Sequence, residues 1–268
     1  MEIREFAETV LFGATLESKL DGPPSGHSAL TDAARGPARA WQEPGRPPEL
    51  AIAPKKSRKP IPSPRALHDP NMRVRALHAF ANHELMALEL MAWAVLAYPD
   101  APDAFRRGLA WLIVEEQRHL QLYIDRIAAL GGAFGALPVN DHFWRIAPDL
   151  TDPARWVSAL NLTFEQANLD HAPVFAKHFT EAGDLESADL LSTIEEDEVK
   201  HVAFGVRWLT SFKDPSVSLF DAWVANLTGL NDPTRARGRA HFNVEARERA
   251  RLPPQFIDAL HRWSPDAS

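Results

Sequence analysis

The sequence contains no cysteine. That absence excludes a disulfide framework, a thiolate nucleophile, cysteine-ligated zinc, iron–sulfur clusters and covalently attached haem. Any metal must therefore be held by histidine and carboxylate. No uncharged apolar run approaches the ~20 residues that a membrane helix needs. The opening Met1-Glu2-Ile3-Arg4-Glu5 lacks the basic-then-apolar form of a signal peptide, so the expectation is a cytoplasmic protein with no membrane partner. Positive charge is in deficit. The net charge is −7 and the pI about 5.9, which argues against broad nucleic-acid binding. The basic run Lys55-Lys56-Ser57-Arg58-Lys59 reads as a solvated charge run. The 45% apolar and 24% charged fractions are those of an ordinary globular chain, and 268 residues suffice for one well-buried domain.

What is present is unevenly placed. Of the 22 prolines, 11 lie between Pro23 and Pro70, and a residue that lacks a backbone donor and fixes φ forbids long helices or central strands there. Before this segment, Ile3, Phe6, Val10 and Leu11 recur at helical spacing, which predicts one short amphipathic helix within residues 1–20. Residues 21–70 then read as an extended arm that packs on a body through Trp41, Leu50 and Ile52. Four long helical segments follow: Asn71 to Tyr98; Pro102-Asp103 to Gly131-Gly132; Asp152-Pro153 to Gly183, with Pro173 expected to kink or interrupt it; and Leu185 to Lys213. At 1.5 Å per residue a 28-residue helix is a rod of ~42 Å, the proportion of a four-helix bundle. Shorter helices are expected over Ser216–Leu227 and Pro254–Trp263, joined by the arginine-rich stretch Thr234–Arg251. The organisation is thus 1–70 helix and arm, 71–213 bundle and 214–268 C-terminal helices.

The pattern Glu-x-x-His occurs twice, at Glu116–His119 and Glu198–His201, each deep in a long helix. Residues three apart share a helix face, so each pair aims a carboxylate and an imidazole at one point. The preceding helices supply Glu84 before Glu116 and Glu165 before Glu198, at intervals that differ by a single position. Aligning Glu84–Glu89 with Glu165–Asp170, and Glu115–His119 with Asp197–His201, reveals a diverged internal repeat of two helix pairs. Apolar neighbours flank each acid: Leu77, Phe80, Ala81, Ala87, Leu88 and Met91 around Glu84, Leu109, Leu112 and Ile113 before Glu116, Leu191 and Ile194 before Glu198. Four carboxylates in one apolar core are prohibitive unless paired. Two divalent cations neutralise them, with two imidazoles completing the shells. One Glu from each of two helices and Glu-x-x-His from each of the other two is the donor set of di-iron and di-manganese carboxylate bundles.

The chain resembles the ferritin-like superfamily and, more narrowly, the ferritin-like family known as domain-of-unknown-function family 455. The segments Arg4–Leu11, Pro44–Leu50, Ala79–Leu90 and Gly135–Trp144 carry the narrower resemblance, which spans nearly the whole chain. It implies an all-α, ferritin-like four-helix bundle with a long Pro-rich N-terminal arm and extra C-terminal helices. It also implies two iron ions, or manganese or a mixed pair, on Glu84, Glu116, His119, Glu165, Glu198 and His201, with Glu116 and Glu198 bridging and Glu84 and Glu165 terminal. A further resemblance, to bacterial multicomponent monooxygenases, implies that Glu115 bonds His201 and Asp197 bonds His119, with Arg118 and Lys200 balancing charge. The chain departs from that pattern by carrying Glu at one place and Lys at another. Tyr123, one turn after His119, reads either as a redox-active neighbour or as a core residue, and Gly205, at the matching place after His201, as room for a small molecule or as close helix packing. Glu89 and Asp170 read as outer-shell or inter-helix partners rather than direct ligands. His83 reads as a core or surface histidine; His78, His142, His171 and His178 have no partner at ligand spacing.

The function expected is a non-haem di-iron oxidase or oxygenase. Its partners would be dioxygen, a small-molecule substrate and an electron donor, and a homodimer is compatible with the arm and C-terminal helices. The same ligands serve ferroxidase or iron handling and di-manganese peroxide disproportionation. A non-enzymatic helical adaptor with a structural metal site is the reading from another class.

Overall fold

The computed structural model describes residues 1–227, 232–239 and 241–264. Among them the regular structure is helical, as expected; the only strand-like pairings are isolated bridges of Glu2 with Thr31 and Ile52 with Val139. No helix among the described residues is long and apolar enough to cross a membrane. The chain divides into two compact units, Met1–Pro148 and Asp149–Ser268.

The first unit is built on a hairpin of α3 (Pro70–Ala97) and α4 (Asp103–Ala129). The Asp69 carboxylate accepts the Asn71 N–H and Pro70 fills the first turn of α3, a start that satisfies one orphan donor and needs no other. Past α4, Gly131 takes φ +79, a conformation that ends a helix at little cost only for glycine. The N-terminal helix expected within residues 1–20 is two: α1 (Ile3–Phe12) and α2 (Leu16–Leu20). They fold back at Gly13, where any side chain would overlap Ser18. Ile3, Phe6, Val10 and Leu11 are buried as the spacing predicts.

The arm carries only short 3-10 turns. Leu50 is buried, but Trp41 is 41% exposed and is not an anchor. A proline-rich chain offers few backbone donors, and arginines hold it instead. Arg106 grips Asp32 (2.8 and 2.9 Å), Arg107 donates to the Leu30 carbonyl (3.0 Å) and Arg35 to that of Pro99 (3.1 Å).

The second unit pairs α7 (Leu185–Phe212) with a continuous helical run of α5 (Pro153–Ala159), a π-helical segment Leu160–Glu165 and α6 (Gln166–Glu181). Pro173 does not interrupt the helix, since α6 continues through it, and the π segment lies upstream. Just before the π segment, the Ser158 carbonyl at the end of α5 receives the Thr163 hydroxyl (2.7 Å) and the Trp223 indole N–H (3.1 Å), partners that stabilise a wider turn. Trp223 belongs to α8 (Leu219–Asn226); α9 (Val244–Arg249) and α10 (Pro254–Arg262) follow. The stretch Thr234–Arg251, expected as a linker, thus contains α9, while position 240 lies outside the described residues.

One carboxylate in each unit ties down the segments around the hairpin. In the first, fully buried Glu89 receives Arg46 of the arm (2.6 and 3.0 Å), the Trp144 indole (3.0 Å) and the Lys19 ammonium (3.3 Å). Lys19 also donates to the Val10 and Leu11 carbonyls at the end of α1, and burial pushes its pKa down against the pull of Glu89. In the second, fully buried Asp170 takes both arms of the Arg247 guanidinium (2.7 and 2.8 Å) and the backbone N–H groups of Gly238 (2.7 Å) and Asn243 (2.6 Å).

Removing one partner of a buried pair strands the other charge, at a cost of about 3–5 kcal/mol. Arg247→Met is expected to lose that much in urea denaturation. Arg46→Met should lose less, because Lys19 still faces Glu89. A second prediction concerns His78, whose Nε2 accepts the Gly135 N–H at 3.0 Å and whose pKa burial lowers to about 4. Its neutral form is the one that folds, so its contribution is complete above the ordinary value of 6.5 and is lost as pH falls from there toward 4. The loss is at most about 3 kcal/mol. A stability–pH profile should flatten over that window in His78→Gln, which keeps an acceptor without titrating.

Candidate metal centre

Each hairpin brings one Glu and one Glu-x-x-His pair together. In the first, Glu84 stands on the buried stripe of α3, and Glu116 and His119 face inward one turn apart on α4; all three are at most 4% exposed. One ligand atom from each lies within 4.8 Å of the other two, and His119 Nδ1 is 3.5 Å from Glu116 Oε2. Donor atoms on one ion at about 2.1 Å are at most about 4.2 Å apart, so small side-chain shifts close the set.

In the second hairpin Glu165 ends the π segment, while Glu198 and His201 come from α7. All three are at most 3% exposed. His201 Nδ1 lies 3.6 Å from Glu198 Oε2 and 3.9 Å from Glu165 Oε1. In both hairpins, then, the imidazole turns Nδ1 toward carboxylate oxygen. Carboxylate and imidazole are metal-ligating donors, and such buried clusters could hold a metal ion.

Two asparagines complete the second set. Asn161 Nδ2 donates to Glu165 Oε2 at 2.5 Å and Asn168 Nδ2 to Glu198 Oε1 at 2.9 Å. They stand one turn before and one turn after Glu165, on its helix face. That spacing is the signal by which the sequence could have shown them, and a pattern of acids and histidines alone does not contain it.

Two of the expected outer pairs of residues also meet along a single helix. Arg118 lies 3.4 Å from Glu115 and its Nη2 3.4 Å from His119 Nε2; Lys200 donates to Asp197 at 2.7 Å. Tyr123 is buried with its ring 5.9 Å from that of Phe80, a core position. Gly205 marks close packing rather than open room, since a Cβ there would come within 2.6 Å of Asn161 Cβ and 3.1 Å of the Leu162 side chain. Among the other histidines, His83 stacks on Phe143 (5.3 Å), His142 receives Arg145 (2.6 Å) and His178 meets Glu181 (2.8 Å). Burial lowers the pKa of His171.

No curated protein and no solved structure matches the chain. The profile of one family does match, over residues 13–258, a span that takes in both hairpins, the arm and most of the C-terminal segment. The chain belongs to that family, described as protein of unknown function (DUF455).

Proposed function

We propose that the two hairpins are halves of one ferritin-like four-helix bundle and that the protein is a non-haem di-iron oxidase or oxygenase. One observation carries the reading: the same donor set, a Glu and a Glu-x-x-His, occurs at matched positions of a repeat and is buried in each hairpin, with its three ligand atoms within 4.8 Å of one another in the first and both glutamates within 4 Å of His201 in the second. A solvated or purely structural acidic face does not account for both copies.

Glu84, Glu116 and His119 hold one ion, and Glu165, Glu198 and His201 the other. Four carboxylates against two divalent cations leave the centre neutral, which is what an apolar surround tolerates. Bound there, iron supplies the electrons that reduce dioxygen at the expense of an organic substrate. The chain's share is to fix the donors and keep water out. Leu109, Leu112 and Ile113 line the α4 side of the first set, and Leu191 and Ile194 precede the second on α7, all buried. Glu115 and Asp197, acids that directly precede the ligand pairs, orient His201 and His119 in this reading, and Arg118 and Lys200 offset their charge.

Protein purified from iron-supplemented medium is expected to carry about two transition-metal ions per chain, measured by elemental analysis. Glu116→Ala and His201→Ala should each lose at least half of that metal while keeping the helical circular dichroism. Metal-free wild-type protein that takes up neither iron nor manganese sinks the proposal. In an oxygen electrode, Fe(II)-loaded wild type should consume dioxygen at a rate that Glu116→Ala does not reach. Metal binding without oxygen uptake favours the adaptor with a structural metal site.

A further inference from the structure

The basic run Lys55–Lys59, expected as a solvated charge run, is held in one place. Residues 51–75 carry seven lysines and arginines against one acid, Asp69, in a chain whose net charge is −7, and the Asp69 carboxylate is taken up in capping α3. Pro54 and Pro60 bound the run, and Lys55–Ser57 forms a 3-10 turn. The turn is pinned: the Ala53 N–H donates to the Val139 carbonyl (3.1 Å), while Arg58 donates to the Ala53 carbonyl (2.7 Å) and pairs with Asp141. Two further segments bring cations to the same place. Arg145, in the connection after α4, shares Asp141 with Arg58 (3.7 Å), and Arg75 of α3 donates to the Pro60 carbonyl (3.4 Å). Lys55, Lys56 and Lys59 are exposed and form no ion pair among the described residues.

Like charges gathered without counter-charge repel one another, so stability does not explain them. Such a surface attracts an anionic partner, and its composition narrows the kind. Residues 51–75 contain no Phe, Tyr or Trp, which leaves no platform for stacking nucleic-acid bases. Among the described residues of this segment, Ile61 alone of the large apolar side chains is exposed (39%), whereas a membrane-surface segment presents a row of Trp, Phe or Leu. Exposed lysines give long-range attraction and fast, salt-sensitive encounter, in place of the fixed fork by which arginine grips phosphate. Small, transient interfaces of that kind are those of electron-transfer proteins. The surface also stands close to the first donor set. Arg75 precedes Glu84 by nine positions on α3, ~13.5 Å along the axis. Phe143, two positions before Arg145, stacks on His83, the neighbour of Glu84 (5.3 Å).

We propose that this surface, built from Lys55, Lys56, Arg58, Lys59, Arg75 and Arg145, is where an acidic electron-transfer protein docks to deliver electrons to the metal centre. This rests on the oxygenase reading above. Hydroxylation of a substrate C–H bond by dioxygen takes two electrons and two protons from outside; one oxygen atom enters the bond and the other leaves as water. A chain without cysteine has no iron–sulfur cluster or thiol pair of its own to supply those electrons. A separate protein with a negative face and a redox group supplies them, and that group is oxidised as dioxygen is reduced. The six residues steer and seat the partner and are not catalytic residues.

The probe is a plant-type ferredoxin, an acidic protein, with basic cytochrome c as its counter-probe. Calorimetry on metal-free full-length protein should show ferredoxin binding at low salt that weakens about tenfold or more at about 0.2 M salt, and no binding of cytochrome c. The triple variant Lys55→Glu, Lys56→Glu, Lys59→Glu should weaken ferredoxin binding about tenfold or more while keeping the helical circular dichroism. Lys177→Glu, Arg239→Glu, Arg262→Glu makes the same change of net charge at exposed residues elsewhere and should stay within about threefold of wild type. With Fe(II)-loaded protein, oxygen uptake driven by reduced ferredoxin should fall about tenfold in the lysine variant, whereas uptake driven by the methyl viologen radical, which needs no docking, should stay within about threefold. Wild type that binds no ferredoxin, equal loss in both triple variants, or a ferredoxin-driven rate that the lysine variant keeps overturns the inference, and viologen-driven uptake then leaves the oxygenase reading standing. Binding of an oligonucleotide or of phosphatidylglycerol vesicles through the same lysines, without binding of ferredoxin, overturns it too. Oxygen uptake from neither donor overturns the oxygenase reading and the electron-entry role with it.

Discussion

An ionised carboxylate cannot stay inside an apolar helix hairpin without a partner that replaces water, and each hairpin of this chain buries three at repeat-matched positions: Glu84, Glu89 and Glu116 in one, Glu165, Asp170 and Glu198 in the other. The way each charge is met decides what the surrounding chain must do. Glu89 and Asp170 are met by arginines that lie outside the long helices, Arg46 and Arg247. The arm and the C-terminal segment are therefore parts of the core. Without them, Asp170 loses its counter-ion and Glu89 keeps only Lys19. The remaining four acids, in the reading proposed above, are met by metal.

The repeat has diverged in a way that the same constraint makes intelligible. Glutamate at position 89 reaches three side chains from three segments: α2, the arm, and the connection that bears Trp144. Aspartate at position 170 is one methylene shorter, and the C-terminal segment comes to it. Two backbone N–H groups and one guanidinium close around it, and Gly238 is required because a Cβ there would lie 2.9 Å from Asp170 Cβ. One carboxylate gathers distant side chains, and the other gathers backbone.

The long helices, their ends and both Glu-x-x-His pairs were legible because each is written within a few turns of chain, in a 3.6-residue period, a capping aspartate or a terminal glycine. The misses share the opposite property. Trp223 stitches a π segment 60 to 65 residues away, so no local pattern marks the segment, whereas Pro173, the local mark of a break, falls where the helix continues. The arm was legible as an arm, but its anchors were not. Arginine-to-carbonyl bonds such as Arg107 to Leu30, 77 residues apart, leave no periodic trace, and an aromatic such as Trp41 draws attention that its exposure does not justify. The asparagines were visible at helical spacing from Glu165. Only the wider π turn and the α7 contacts showed them to be turned onto carboxylates.

The interval from Glu165 to Glu198 is one position longer than that from Glu84 to Glu116, the result of a three-position change in hairpin register and a connection shorter by two residues. In an antiparallel pair, residues come level when they stand equally far from the turn. Glu84 stands as far before the end of α3, at Ala97, as Glu116 stands after the start of α4, at Asp103. The two glutamates are therefore level, and His119 is a turn beyond. In the second hairpin it is His201, not Glu198, that stands as far from the start of α7, at Leu185, as Glu165 does from the end of α6, at Glu181. That hairpin has thus slipped by three positions, about 4.5 Å along the axis. The slip does not break the donor set, because the carboxylate and imidazole of Glu-x-x-His are themselves three positions apart: it exchanges which of them stands level with the glutamate of the first helix. A motif with that internal spacing tolerates just this change of register, and the close approach of His201 to Glu165 is its consequence.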